Sequence, residues 1–170
     1  VLEHGVVGLS LSELARSIGS NNRMLLYHFG SLDNVLSAVV NEVLDGESLH
    51  SRIADLLHAD ASSADRITAA WRHISDPVRL PQLRLFFGRF GQAADDQERY
   101  REFLDRTLAE WVGTVAGALR EDPEVTRPDD KAMAIVGLWR GLQILLISGG
   151  SASEVDRVHD DAVRALLPAR

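Results

Sequence analysis

Apolar residues recur along nearly the whole chain at intervals of three and four, the spacing of one helix face, and nowhere alternate as a half-buried strand requires. Leu11, Leu14, Ala15 and Ile18 mark a short first helix, opened by Ser10 with Glu13 completing a capping box. Gly19 follows where a left-handed residue is needed, and Asn21 suits the N-cap of a second helix. In that helix Leu25 and Leu26 stand three or four residues from Phe29 and are expected to wedge it against the first. Gly30 ends it and Ser31 can cap the next, where Val35, Leu36, Val39, Val40, Val43 and Leu44 form a stripe. Ile53, Leu56 and Leu57 continue that stripe beyond Gly46 as a long connecting helix with a weak point at the glycine.

The remaining pattern is also helical. A helix is expected from about Ala64 to Ile74, where Asp76 and Pro77 break it. Leu83, Phe86, Phe87 and Phe90 predict an aromatic turn or short helix between Pro81 and Gly91. Leu104, Leu108, Trp111, Val115 and Leu119 predict an amphipathic helix within 97–120. Pro128 opens another, with Asp129 and Asp130 in its first turn, and 132–148 is apolar almost all round. After a turn at 149–153, Val155, Val158, Ala162, Val163 and Leu166 stripe a last helix. The fold class is all-α.

The first two helices and their glycine turn have the form of a helix-turn-helix. Asn22, Arg23, Tyr27 and His28 face outward on the second helix. Asn and Arg are the side chains that pair with adenine and guanine edges, and the start of a reading helix does that work. Ser20 and Asn21 stand at that start and join the DNA-binding candidates, while Tyr27 and His28 lie a turn further on, where phosphate contacts are expected.

The run GSNNRMLLYHFGS over 19–31, within the segment 8–40, resembles the tetracycline-repressor (TetR) family of bacterial transcriptional regulators. The leucine-rich first helix, the glycine turn and YHFGS stand in the family's order and spacing. Leu32 occupies the place of the family's usual lysine, and Leu26 that of its usual tyrosine, with Tyr27 one place later. Val1–Gly5 match only the last turn of the family's first helix, so most of that helix is expected to be missing from this chain. The resemblance implies a helix-turn-helix DNA-binding lobe over 1–46 and a helical ligand-binding and dimerisation domain over 47–170. It also implies a cytoplasmic repressor that pairs through its last two helices, reads a palindromic double-stranded operator and is released by a small effector. Trp71, Phe86, Phe87, Phe90, Phe103, Trp111, Met133, Trp139 and Gln143 lie in the helices that enclose the family's inducer pocket; the scarcity of charge there favours a mainly hydrophobic molecule. Arg89 and Arg140 are the exceptions, placed to meet either a ligand carboxylate or an internal acid.

Charge complicates the DNA reading. The chain carries a net −7, and residues 1–46 set Arg16 and Arg23 against Glu3, Glu13, Asp33, Glu42 and Asp45. A protein that binds nucleic acid through its general field is basic. With Leu32, this keeps open a helical ligand-binding dimer that has lost its operator. The absence of cysteine excludes a disulfide framework and thiol chemistry. The 132–148 run, interrupted by Arg140 and Gln143, is too short and polar to span a membrane. Glu47/His50, Asp55/His58 and Asp156/His159 have the three-residue spacing of a carboxylate/histidine metalloenzyme, a rival reading. Solvated surface also explains them, and with no nucleophile arrangement or nucleotide motif evident, neither enzyme activity, a cofactor nor a bound metal is expected.

Overall fold

In a computed structural model, residues 10–32, 34, 35, 38 and 47–168 are described, with backbone only at 47–50 and 106. The stripe through Leu36, Val39, Val40, Val43 and Leu44, the weak point at Gly46 and the segment Val1–Gly5 lie outside the described residues. Two hydrophobic clusters organise the rest. The smaller joins α1 (Leu11–Ser17) to α2 (Asn22–Phe29) through buried Leu14, Ala15, Leu25 and Val35, with Leu11 and Leu32 packed at its edge.

The larger cluster gathers α3 (Glu47–Leu57), α4 (Ser63–Ile74), α7 (Glu110–Arg120), α8 (Pro128–Ile147) and α9 (Ala152–Leu166). Between α4 and α7, a short 3₁₀ turn at Pro77–Arg79 leads into α5 (Leu80–Asp95), followed by α6 (Arg101–Leu104) and a π-helical stretch at Asp105–Ala109. The aromatic turn or short helix expected between Pro81 and Gly91 is a helix, longer than expected and running through both residues. Pro81 is tolerated in its first turn, where no intrahelical N–H is needed, and Gly91 simply continues it. The helix expected across 97–120 is interrupted by the π stretch, and Leu108 stands half exposed there rather than on the buried stripe.

Helix α8 buries Ala132, Ile135, Val136, Trp139, Leu142, Gln143 and Leu146 against α5, α7 and α9. Its opposite face carries Met133, Gly137, Gly141, Ile144 and Leu145 and is exposed in the protomer, Met133 at 66% and Leu145 at 52%. On α9, Val158 of the expected stripe also points outward.

Polar groups inside the larger cluster close two junctions. Buried Arg66 donates from Nη1 to the Leu57 carbonyl (2.9 Å) and to Glu121 (3.0 Å), and from Nη2 to Ser63 Oγ (3.2 Å) and the Ala118 carbonyl (3.3 Å). One guanidinium therefore satisfies carbonyls that α3 and α7 leave without intrahelical partners at their C-terminal ends. The second junction is an aromatic layer. Trp71 of α4 stacks on His159 of α9 with centroids 5.0 Å apart, and Trp139 of α8 donates its indole N–H to His159 Nε2 at 3.1 Å. Because Nε2 accepts, the ring proton sits on Nδ1, facing Asp160 Oδ1 at 3.2 Å.

Burial holds the His159 imidazole below its usual 6.5, against the opposing pull of Asp160 and Asp156. The folded state keeps this ring neutral while the unfolded chain takes up a proton below about 6.5, so stability is complete above that pH and lost on acidification. The melting temperature is therefore expected to fall as pH drops from 6.5 towards 5, and the fall to be shallower in His159→Gln, which keeps an acceptor without titrating. Some slope remains in that variant because burial and Arg79 also hold His73 low. An unchanged slope in His159→Gln would show that this ring does not carry the effect.

Candidate functional site

The geometry of the first lobe follows from its caps. Ser10 Oγ accepts from the Glu13 N–H, and the Glu13 carboxylate accepts from the Ser10 N–H, a complete capping box. Gly19 takes φ 65°, which lets the Ser20 N–H reach back to the Ala15 carbonyl at 2.8 Å and turns the chain sharply into α2. Asn21 then caps α2, its Oδ1 accepting from the Met24 N–H at 3.0 Å. Gly30, at φ 76°, ends the helix, and Ser31 Oγ accepts from the Asn34 N–H.

These constraints leave Ser20, Asn21, Asn22, Arg23, Tyr27 and His28 exposed to solvent, Tyr27 at 81%; Arg23 and Tyr27 share the side away from Leu25, while Asn22 and His28 flank that buried leucine. Asn22 spends one N–H on Ser12 Oγ (2.8 Å), bracing α2 against α1, and Asn21 spends its carbonyl on the cap. Arg23 forms no ion pair among the described residues, so its guanidinium is available to an incoming group. Tyr27 and His28 meet edge to face, centroids 5.2 Å apart, as one aromatic ledge. The wedge differs from expectation. Leu25 is 4% exposed, but Leu26 is 45% and Phe29 38% exposed. Adjacent residues on a helix point about 100° apart, so only one of the two leucines can face α1.

The aromatic candidates of the second domain fall into two groups. Trp71 and Trp139 belong to the layer around His159, and the Trp71 indole donates to Asp156 at 2.8 Å. Both side chains are enclosed in the core, and their polar edges are satisfied by the protein. Met133 lies on the outer face of α8. The others come together where α5 meets the π stretch, α7 and α8. Phe86 contacts Phe87, Phe90 and Phe103 at centroid distances of 5.0, 6.0 and 5.8 Å, with Phe86 buried and the other three half-buried. Arg140 extends over the Phe86 ring at 4.6 Å and towards Trp111 at 5.7 Å. It donates to Gln143 Oε1 (3.0 Å) and to the Thr107 carbonyl (3.0 Å).

Arg89, the other cation of this region, lies on the Tyr100 ring at 4.2 Å and donates to its hydroxyl and to Gln92. Tyr100 and Thr107 were not legible as site residues. A backbone carbonyl reached across 33 positions leaves no trace in side-chain pattern.

Among the described side chains the carboxylate/histidine pairs form no metal-holding group. His58 faces Glu121 at 2.8 Å, Asp156 accepts from Trp71 and Arg72, and His159 is locked between the two indoles; the side chains of Glu47 and His50 lie outside the described residues. Among the described residues no group of three or more His, Asp or Glu is arranged to hold a metal ion, and no helix is long and apolar enough to cross a membrane.

No family model matches the chain, and no curated relative matches it. The fold is shared with a solved structure, that of a Rhodococcus sp. protein assigned to the TetR family of transcriptional regulators. That protein is 21% identical and superposes with a TM-score of 0.74 over 98% of this chain and 92% of its own.

Proposed function

We propose that this chain is a DNA-binding transcriptional regulator of the TetR type, a cytoplasmic repressor that a small, mainly hydrophobic molecule releases from a palindromic operator. The observation that carries the reading is the capped helix-turn-helix whose second helix leaves Asn22, Arg23, Tyr27 and His28 exposed. The shared fold supports it. Arg23 stands in the first turn of α2, where a guanidinium reaches a guanine edge bidentately. Tyr27 and His28, a turn further on, are the residues proposed to contact the neighbouring phosphates.

Dimerisation through α8 and α9 is supported by the exposed run Met133, Gly137, Gly141, Ile144 and Leu145 on α8, with Val158 on α9. The two glycines have no atom within 4 Å of a built Cβ, so a second helix can approach closely there. A two-fold dimer sets two reading helices about 34–36 Å apart, one turn of DNA. A ligand held more tightly in a state with the wrong spacing weakens operator binding by the same free energy with which the operator weakens ligand binding.

Fluorescence anisotropy on the DNA flanking the protein's own gene is expected to show tight binding that survives competitor DNA. Arg23→Ala should weaken it by about 1–3 kcal/mol, roughly 5- to 150-fold. Binding that is weak and equal on random DNA would instead mean that the motif is structural or that the operator lies elsewhere. For the chain 1–170, in which Arg16 and Arg23 are the only arginines or lysines in 1–46, the salt dependence should be shallow, a log–log slope no steeper than about −4 for a dimer. Sedimentation should give a dimer, and Leu145→Asp, which alters an exposed side chain, should give a folded monomer; a parent that sediments as a monomer removes the dimer.

A further inference from the structure

We propose that the junction of α5, α8 and the π stretch is a binding site for a small apolar or aromatic monocarboxylate, whose carboxylate is taken by Arg140. The inference rests on the reading that this domain binds a small molecule, and it assigns that molecule an anionic head.

Arg66 and Arg89 are buried, Arg140 is half-buried with its Nε enclosed, and the surroundings of the three differ. Arg66 has Glu121 and two helix-end carbonyls, and Arg89 has the Tyr100 phenol and Gln92. Arg140 has one amide oxygen, one backbone carbonyl and the faces of Phe86 and Trp111. No carboxylate pairs with it among the described residues, and its Nε is buried with no hydrogen-bond partner. Burial alone lowers its pKa to about 10. The guanidinium offers five N–H donors and two are used, so donors remain for a planar anion. Aromatic faces offset part of the cost of the buried charge without neutralising it.

A second orphaned atom lies nearby in the fold. Gln82 Oε1 is buried and without a partner, one turn before Phe86 on α5. An apolar body against Phe86 and Trp111, with a carboxylate at Arg140, supplies what the guanidinium lacks; a hydroxyl or N–H on that body supplies what Gln82 lacks. The π stretch contributes as well. Its Thr107 carbonyl accepts from Arg140 and holds the guanidinium across the junction, and such turns recur at functional sites. An uncharged ligand would leave the cation as poorly compensated as before, which is why the chemistry selects an acid.

The test is calorimetric titration of the full chain at pH 7 with benzoate, phenylacetate and indole-3-acetate, each beside its own neutral amide. At least one acid is expected to bind about ten- to a hundredfold more tightly than its amide, the value of a charge-assisted contact. Arg140→Met should abolish that preference while melting no lower than the parent, because it replaces a poorly compensated buried charge with an apolar side chain. Arg140→Lys, which retains charge but not the planar fork, should weaken the acid and stay folded, and it serves as the reporter should the methionine variant fail to fold. Acids that bind no better than their amides, acids that bind both variants as tightly as the parent, or no acid binding at millimolar concentration would each overturn the proposal. The titration needs no DNA, so such a failure leaves the operator reading intact. An acid that binds through Arg140 yet leaves the protein–DNA anisotropy unchanged supports the site and removes its role in release.

Discussion

A helix apolar on nearly every side has to be covered on nearly every side, and α8 imposes that requirement on the domain around it. Its inner residues fill the largest core cluster, where α7 and α9 supply most of the facing side chains. Trp139 makes the packing specific, because a buried indole N–H needs an acceptor and His159 provides one. That bond fixes how α9 lies on α8, and the stacking of Trp71 on the same ring brings in α4. Burying each aromatic side chain is worth a few kcal/mol. The polar edges decide which of the many greasy arrangements is adopted.

The same economy appears at the helix ends. Arg66 on α4 reaches the last carbonyls of α3 and α7 together, while Ser63 donates to Asp122 at 2.7 Å just beyond α7. Cations are favoured where helix dipoles end, and a buried arginine that finds two such ends and a glutamate is well compensated. The first lobe has its own small core, Leu14, Ala15, Leu25 and Val35, and keeps its shape through caps and two left-handed glycines.

Local chemistry is what could be read from sequence. The capping box at Ser10 and Glu13, the turn at Gly19, the cap at Asn21, the stop at Gly30 and the proline start of α8 all depend on residues within a few positions of one another, and each is present. Errors arose where two local rules conflicted or where the partner lay far away. Pro81 and Gly91 read as boundaries, yet one is permitted in a first turn and the other costs α5 only about 1 kcal/mol against alanine. Leu25 and Leu26 could not be separated without the position of α1. Composition does not separate the two environments of the pocket candidates, because Trp71 and Trp139 have their partners on α9, 85 and 20 residues away.

Arg140 shows what sequence could and could not supply. An arginine inside an apolar run is visible to any hydropathy reading, and it admits two explanations, an internal acid or an external one. Geometry separates them. The internal acid is missing among the described residues, and the groups that hold the guanidinium, the Gln143 amide and the Thr107 carbonyl, are neutral. Neutral acceptors orient a cation without cancelling its charge, so the protein keeps Arg140 at a cost to stability that a hydrophobic residue of similar volume would avoid. Such a cost fits a position that serves binding. On α8 Arg140 stands three residues after Gly137 and four before Ile144, so it borders the exposed run rather than lying across the helix from it.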